Sequence, residues 1–316
     1  MVLVGGLTRL TNSGLSITEW ELFKGILPPT SIETWDRYFS LYKKIPQYYL
    51  LNNSMTLEEF KIIFYWEYFH RILGRLIGLF FIIPLIFFYF DKRINKKYLI
   101  NCSIILFLII IQGIVGWYMV ESGLVNNVTV SHYRLSLHLT IALIIISLLF
   151  WNILNFKNQR EKLVYQKKKG VYFYYLLASL ILLQVVLGAF VSGLDAGKVY
   201  QTWPLMNLNY FPDEYNINQF SDLLNFKDHG LVQFYHRNIA YLITIILVLY
   251  GIYVFKKNIE KLKKPFYLIF FILLIQIFLG VTTLISGLNI YLASAHQIFG
   301  VLLILSAINL YFYYIK

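Results

Sequence analysis

Charge and cysteine are what this 316-residue chain has least of. Only 14% of its residues are charged, against about 25% in soluble globular domains. Hydrophobic residues make up 58%, and the mean hydropathy is +0.61. That excludes a water-soluble enzyme. Cys102 is the only cysteine and lies inside an apolar run, which excludes an intrachain disulfide framework, a cysteine-based zinc site and an iron–sulfur cluster. Acidic residues are outnumbered by basic ones, 16 to 28, for a net charge of +12. In a soluble protein such an excess points to nucleic acid; here it has to be placed against the apolar segments first.

Seven runs are long and apolar enough to cross a bilayer, about 71–90, 98–120, 135–156, 171–194, 236–255, 266–288 and 291–315. The expectation is an all-α polytopic membrane protein whose first partner is the lipid bilayer. The connections alternate in charge. Segments 91–97, 157–169 and 256–264 carry 15 of the 28 basic residues, whereas 121–134, 195–235 and 289–290 are neutral or acidic. The positive-inside rule puts the basic segments in the cytoplasm, so the net charge reports orientation and no nucleic-acid partner is expected.

Ser-Gly-Leu occurs at 13–15, 122–124, 192–194 and 286–288, and the last three follow a Gln-x-x-x-Gly: Gln112/Gly116, Gln184/Gly188 and Gln276/Gly280. Small residues one turn apart read as a repeated helix-packing face. Counting from each Ser-Gly-Leu glycine, a histidine opens the next inward helix after 56, 15, 43 and 9 residues: His70, His138, His236 and His296. The long–short–long–short pattern predicts two parallel-repeat four-helix bundles, 1–156 and 171–316, joined by a basic cytoplasmic linker, 157–170. The repeat asks for eight helices, and only two apolar residues precede Leu3, so the first helix reads as truncated.

Each of the four histidines is followed four residues later by a small residue: Gly74, Ala142, Ala240 and Gly300. A small neighbour one turn away on the same face clears room for something flat and wide. Haem held by histidines on facing helices of a bundle meets that requirement, which makes His70/His138 and His236/His296 candidate axial pairs. His132 and His229 read as ordinary loop histidines. The halves differ beside the first histidine of each pair. Glu67 lies one turn before His70, and Gln233 takes the matching place before His236. A carboxylate beside a metal ligand can stabilise a developing cation or take a proton, whereas an amide can only hydrogen-bond. Arg71, Arg134 and Arg237 are candidate partners for porphyrin propionates.

Residues Gly5 to Ser16 (GGLTRLTNSGLS), Glu67-x-x-His70-Arg71, His138, Gln201-Thr-Trp-Pro-Leu-Met206, His236-Arg237 and Ala295-His296-Gln297 together resemble the haem A synthase family over essentially the whole chain. The resemblance implies conversion of haem O to haem A, for haem-copper terminal oxidases, by oxidation of the porphyrin C8 methyl group to a formyl group. It assigns the substrate haem to His70/His138, a resident haem b to His236/His296 and the catalytic role to Glu67. The absence of a cysteine pair is similar to the branch found in alphaproteobacteria and mitochondria. The resemblance further implies a multi-pass protein of the bacterial plasma membrane with its haem sites towards the periplasm. Its expected partners are haem O synthase, cytochrome oxidase assembly proteins and an electron acceptor that the sequence does not name, and a homo-oligomer is compatible with the reading. The competing readings are a bis-histidine membrane cytochrome b that only moves electrons between a quinol and a redox partner, and a colourless transporter with a parallel repeat.

Overall fold

The computed structural model describes residues 1–21, 24–125, 127–160, 164–165, 167, 169–213, 215 and 217–316. Of the expected linker, positions 161–163, 166 and 168 lie outside the described residues. The fold is all-α: α1 Val2–Leu10, α2 Ile32–Tyr42, α3 Pro46–Leu51, α4 Leu57–Phe90, α5 Lys96–Leu124, α6 His132–Lys157, α7 Val171–Gly193, α8 His229–Lys256, α9 Glu260–Ile285 and α10 Ile290–Ile315. The seven from α4 onward are long and apolar enough to cross a membrane, as the apolar runs predict, and α1 covers nine residues. The protein is therefore multi-pass. Two compact units, Met1–Ile145 and Ile146–Lys316, divide the chain.

In the first unit α4 packs against α1 and α5. It begins at Leu57 rather than near 71. Its first turns are fixed by a capping box, in which the Thr56 hydroxyl accepts from the Glu59 amide (3.3 Å) and the Glu59 carboxylate accepts from the Thr56 amide (2.8 Å). Hydropathy misses this stretch because it carries charge. The stretch 15–66, ahead of the first apolar run, is also partly helical: α2 packs on α4 and α3 on α5, through a cluster that buries Leu15, Trp35, Phe39, Tyr42, Phe60 and Phe64. Each such aromatic contributes about 1.5–3 kcal/mol by leaving water. Leu15 also interlocks with the second Ser-Gly-Leu, since a Cβ on Gly123 would lie 2.7 Å from Leu15 Cδ1.

In the second unit α10 packs against both α9 and α7, and α8 against α7 and α9. Half of the most apolar window of α10 is buried by protein, whereas none of the equivalent window of α4 is. The first is a bundle core; the second leaves its side chains half-buried or exposed. Leu247, Val254, Ile269, Leu310 and Phe312 are fully buried, and the Tyr174 and Tyr250 hydroxyls meet at 2.6 Å between α7 and α8.

Candidate paired-histidine sites

His70 on α4 and His138 on α6 face each other with ring centroids 6.4 Å apart. Glu67, one turn before His70, is buried at 3% exposure and both its oxygens are fully engaged. Oε2 accepts from the Ser16 hydroxyl and the Ile17 amide, each at 2.8 Å. Oε1 accepts from Arg71 Nε at 3.0 Å and Nη2 at 2.6 Å. Arg71 in turn donates to the carbonyls of Ile17 (2.8 Å) and Glu19 (3.3 Å). The ion pair thus pins the segment after the first Ser-Gly-Leu onto α4, beside His70.

His236 on α8 and His296 on α10 repeat the 6.4 Å spacing in the second unit, with different polarity around it. Gln233 is buried, and its amide donates to the Tyr200 carbonyl at 2.8 Å. Arg237 donates to the carbonyls of Tyr200 and Leu205, both at 3.1 Å, and its buried Nε has no partner. Both segments offer carbonyls to a guanidinium, but the first also offers donors to a carboxylate, where the second offers a carbonyl to an amide. The Gln201–Met206 motif is the loop held in this way, with its Trp203–Pro204 bond cis.

Of the three arginines expected near propionates, Arg71 is taken up by Glu67. Arg134 lies 3.6 Å over the Tyr118 ring and donates to the Tyr118 carbonyl at 2.6 Å, fastening α6 to α5. Arg237 keeps an unpartnered N–H. His132 and His229 are the first residues of α6 and α8 rather than loop residues.

Sequence patterning reads the Gln-x-x-x-Gly segments as helix-packing faces, and the structure brings each glycine against an imidazole on another helix. A Cβ on Gly116 would stand 3.0 Å from His138 Cε1, on Gly188 3.0 Å from His236 Cε1, and on Gly280 2.8 Å from His296 Cε1. Gly5 does the same for His70, at 3.0 Å from Nε2. The glutamines one turn earlier also reach the histidines. Gln112 Nε2 donates to the His138 carbonyl (3.0 Å). Gln184 Nε2 donates to the His236 carbonyl (2.9 Å) and lies 3.1 Å from its Nδ1. The backbone carbonyl of Gln276 accepts from His296 Nδ1 at 3.1 Å, and the Gln276 side-chain Nε2 lies 3.5 Å from His296 Nε2. Ser16, Ile17 and these glycines and glutamines are the site residues that patterning misses, although the recurrence of Gln-x-x-x-Gly upstream of three of the four histidines was the signal.

The donor set fits a porphyrin iron. Each pair supplies two imidazoles, and among the described residues no group of three or more His, Cys, Asp or Glu comes together; two axial positions are what a porphyrin leaves for the protein. Two imidazoles on opposite sides of one metal, each with a bond of about 2.0 Å and about 1.15 Å more to its ring centre, hold their centroids about 6.3 Å apart. Both pairs stand at 6.4 Å. The glycine contacts give a test. Gly280→Val drives a branched side chain into His296, and overpacking of about 1–3 kcal/mol is expected to weaken haem retention by about tenfold. Gly113→Ala, which meets nothing within 4 Å, is expected to leave it unchanged; haem per chain in the purified protein reads both.

Fold and sites together define a multi-pass helical membrane protein with two half-buried imidazole pairs, only one of them flanked by an ion-paired carboxylate. Residues 1–308 match the COX15-CtaA model, described as cytochrome oxidase assembly protein, and the chain belongs to that family. It is 48% identical over 320 residues to the heme A synthase of Pelagibacter ubique (strain HTCC1062), covering 99% of this chain and 91% of that protein. It is 44% identical over 308 residues to that of Rickettsia bellii (strain OSU 85-389), covering 96% and 91%, and 42% identical over 316 residues to that of Rickettsia felis (strain ATCC VR-1525 / URRWXCal2), covering 99% and 93%.

Proposed function

We propose that the chain is a haem A synthase that oxidises the C8 methyl group of haem O to a formyl group, with the substrate haem between His70 and His138 and a resident haem b between His236 and His296. Near full-length similarity to proteins named heme A synthase supports the activity. The observation that carries the division of labour is the Glu67–Arg71 ion pair at 2.6 Å beside His70, where the other unit has Gln233. A bound haem supplies a redox-active iron. Glu67 supplies a fixed anion. Each of its oxygens already accepts two hydrogen bonds, so proton uptake would displace a donor, whereas a held negative charge favours positive charge developing at the reacting methyl carbon. Arg237, with its unpartnered Nε, is the arginine placed to receive a propionate.

On this reading 1–156 and 171–316 are parallel four-helix halves joined by 157–170. The basic segments face the cytoplasm and the haem sites the periplasm of a bacterial plasma membrane. Haem O synthase and cytochrome oxidase assembly proteins are then the natural neighbours, with electrons leaving to a further acceptor. The test is expression with haem O supplied, followed by extraction of the pigments. A formyl-bearing haem is the expected product. Haem b alone at both sites would favour the electron-carrying cytochrome, and a colourless protein under full haem supply would overturn both.

A further inference from the structure

Both histidines of the second pair have a ring contact from a glutamine on a neighbouring helix, and neither histidine of the first pair does. Gln184 Nε2 lies 3.1 Å from His236 Nδ1 and the backbone carbonyl of Gln276 accepts from His296 Nδ1 at 3.1 Å, whereas Gln112 reaches only the backbone carbonyl of His138, whose buried Nδ1 has no partner. For His70 the corresponding position, four residues before the glycine that abuts the ring, is Met1. The substitution is visible in space as well as in register. A Cβ on Gly300, one turn beyond His296, would meet the Gln276 amide at 3.4 Å, and a Cβ on Gly74, one turn beyond His70, would meet Met1 Cε at the same 3.4 Å. A methionine side chain has no N–H to donate and only a weakly accepting sulfur, and among the described residues neither ring nitrogen of His70 has a hydrogen-bond partner.

Groups that hydrogen-bond a metal-bound imidazole fix its orientation and raise its basicity, and losing one typically weakens binding by about 10- to 100-fold. We infer that the imidazoles of the first pair are the loosely held ligands and that one of them gives up its place on the iron, so that the first pair is built to exchange its haem and the second to keep it. This rests on the reading of both pairs as haem sites and adds to it a physical basis for one haem being substrate and the other resident. The glutamines act as positioning residues: they touch the ligands and not the reacting atoms.

Carbon monoxide binds ferrous haem only where an axial ligand lets go, so CO difference spectra of the reduced wild-type protein carrying both haems report the difference without any substitution. The two haems are assigned by comparison with His236→Ala, which removes the second site. The expected result is CO binding at the His70/His138 haem and none at the other. Gln184→Met, which takes away the side chain that reaches the His236 ring and puts in its place the one found at position 1, is expected to make that haem CO-reactive and to speed its transfer to apomyoglobin by about tenfold or more. CO binding at both sites, at neither, or at the second alone, with both haems bound, overturns this inference and leaves the proposed function standing. A wild-type protein that binds no haem overturns the reading beneath it.

Discussion

Glu67→Gln is expected to lower haem A formation by about 10²- to 10³-fold, the usual loss when a preorganised electrostatic group is removed from a reacting centre, while the spectrum of the haem proposed for His236 and His296 stays as in the wild type. The replacement is nearly isosteric, so its effect isolates charge and hydrogen bonding. The carboxylate accepts four hydrogen bonds, from Ser16, Ile17 and twice from Arg71. An amide has one oxygen to offer and must turn its NH2 towards a donor. Arg71, whose side chain is only 13% exposed, is left without its counter-charge, and breaking a buried pair in this way costs about 3–5 kcal/mol. The segment Ser16–Glu19 is then expected to detach from α4, read as faster limited proteolysis there. Glu67→Asp keeps the charge but not the reach and should fall between. Haem A formation at the wild-type rate in Glu67→Gln would remove the glutamate from the chemistry.

Gln233 shows why sequence alone stops short of that argument. The contrast between Glu67 and Gln233 is legible from the two matched segments, but its meaning depends on what each side chain faces. Ile17 offers an N–H and Tyr200 a carbonyl, and no pattern of residue types carries the direction of a backbone dipole in a loop. The spanning helices were legible almost to their ends, because the hydrocarbon region demands long apolar runs and charge marks where they stop. The N-terminal extension of α4 was not. Its residues Leu57–Tyr68 carry charge and are held by the Thr56–Glu59 box and by Phe60 and Phe64 in the aromatic cluster. Gly116, Gly188 and Gly280 stood out by recurrence, but a small residue on a helix has many uses, and only the fold brings each against an imidazole.

Alanine in place of either histidine of one pair should affect one haem and spare the other, and the two pairs should fail in different observables. His236→Ala or His296→Ala is expected to abolish the bis-histidine haem spectrum that survives purification, because one imidazole cannot close a six-coordinate low-spin iron. His70→Ala or His138→Ala is expected to leave that spectrum in place and to stop haem A from accumulating. The separation follows from the packing within each unit. His70 and His138 lie in the first unit against Gly5 and Gly116, His236 and His296 in the second against Gly188 and Gly280, so removing one ring opens a cavity beside its own partner only. Equal loss of resident haem from variants of either pair would mean that the pairs do not form separate sites.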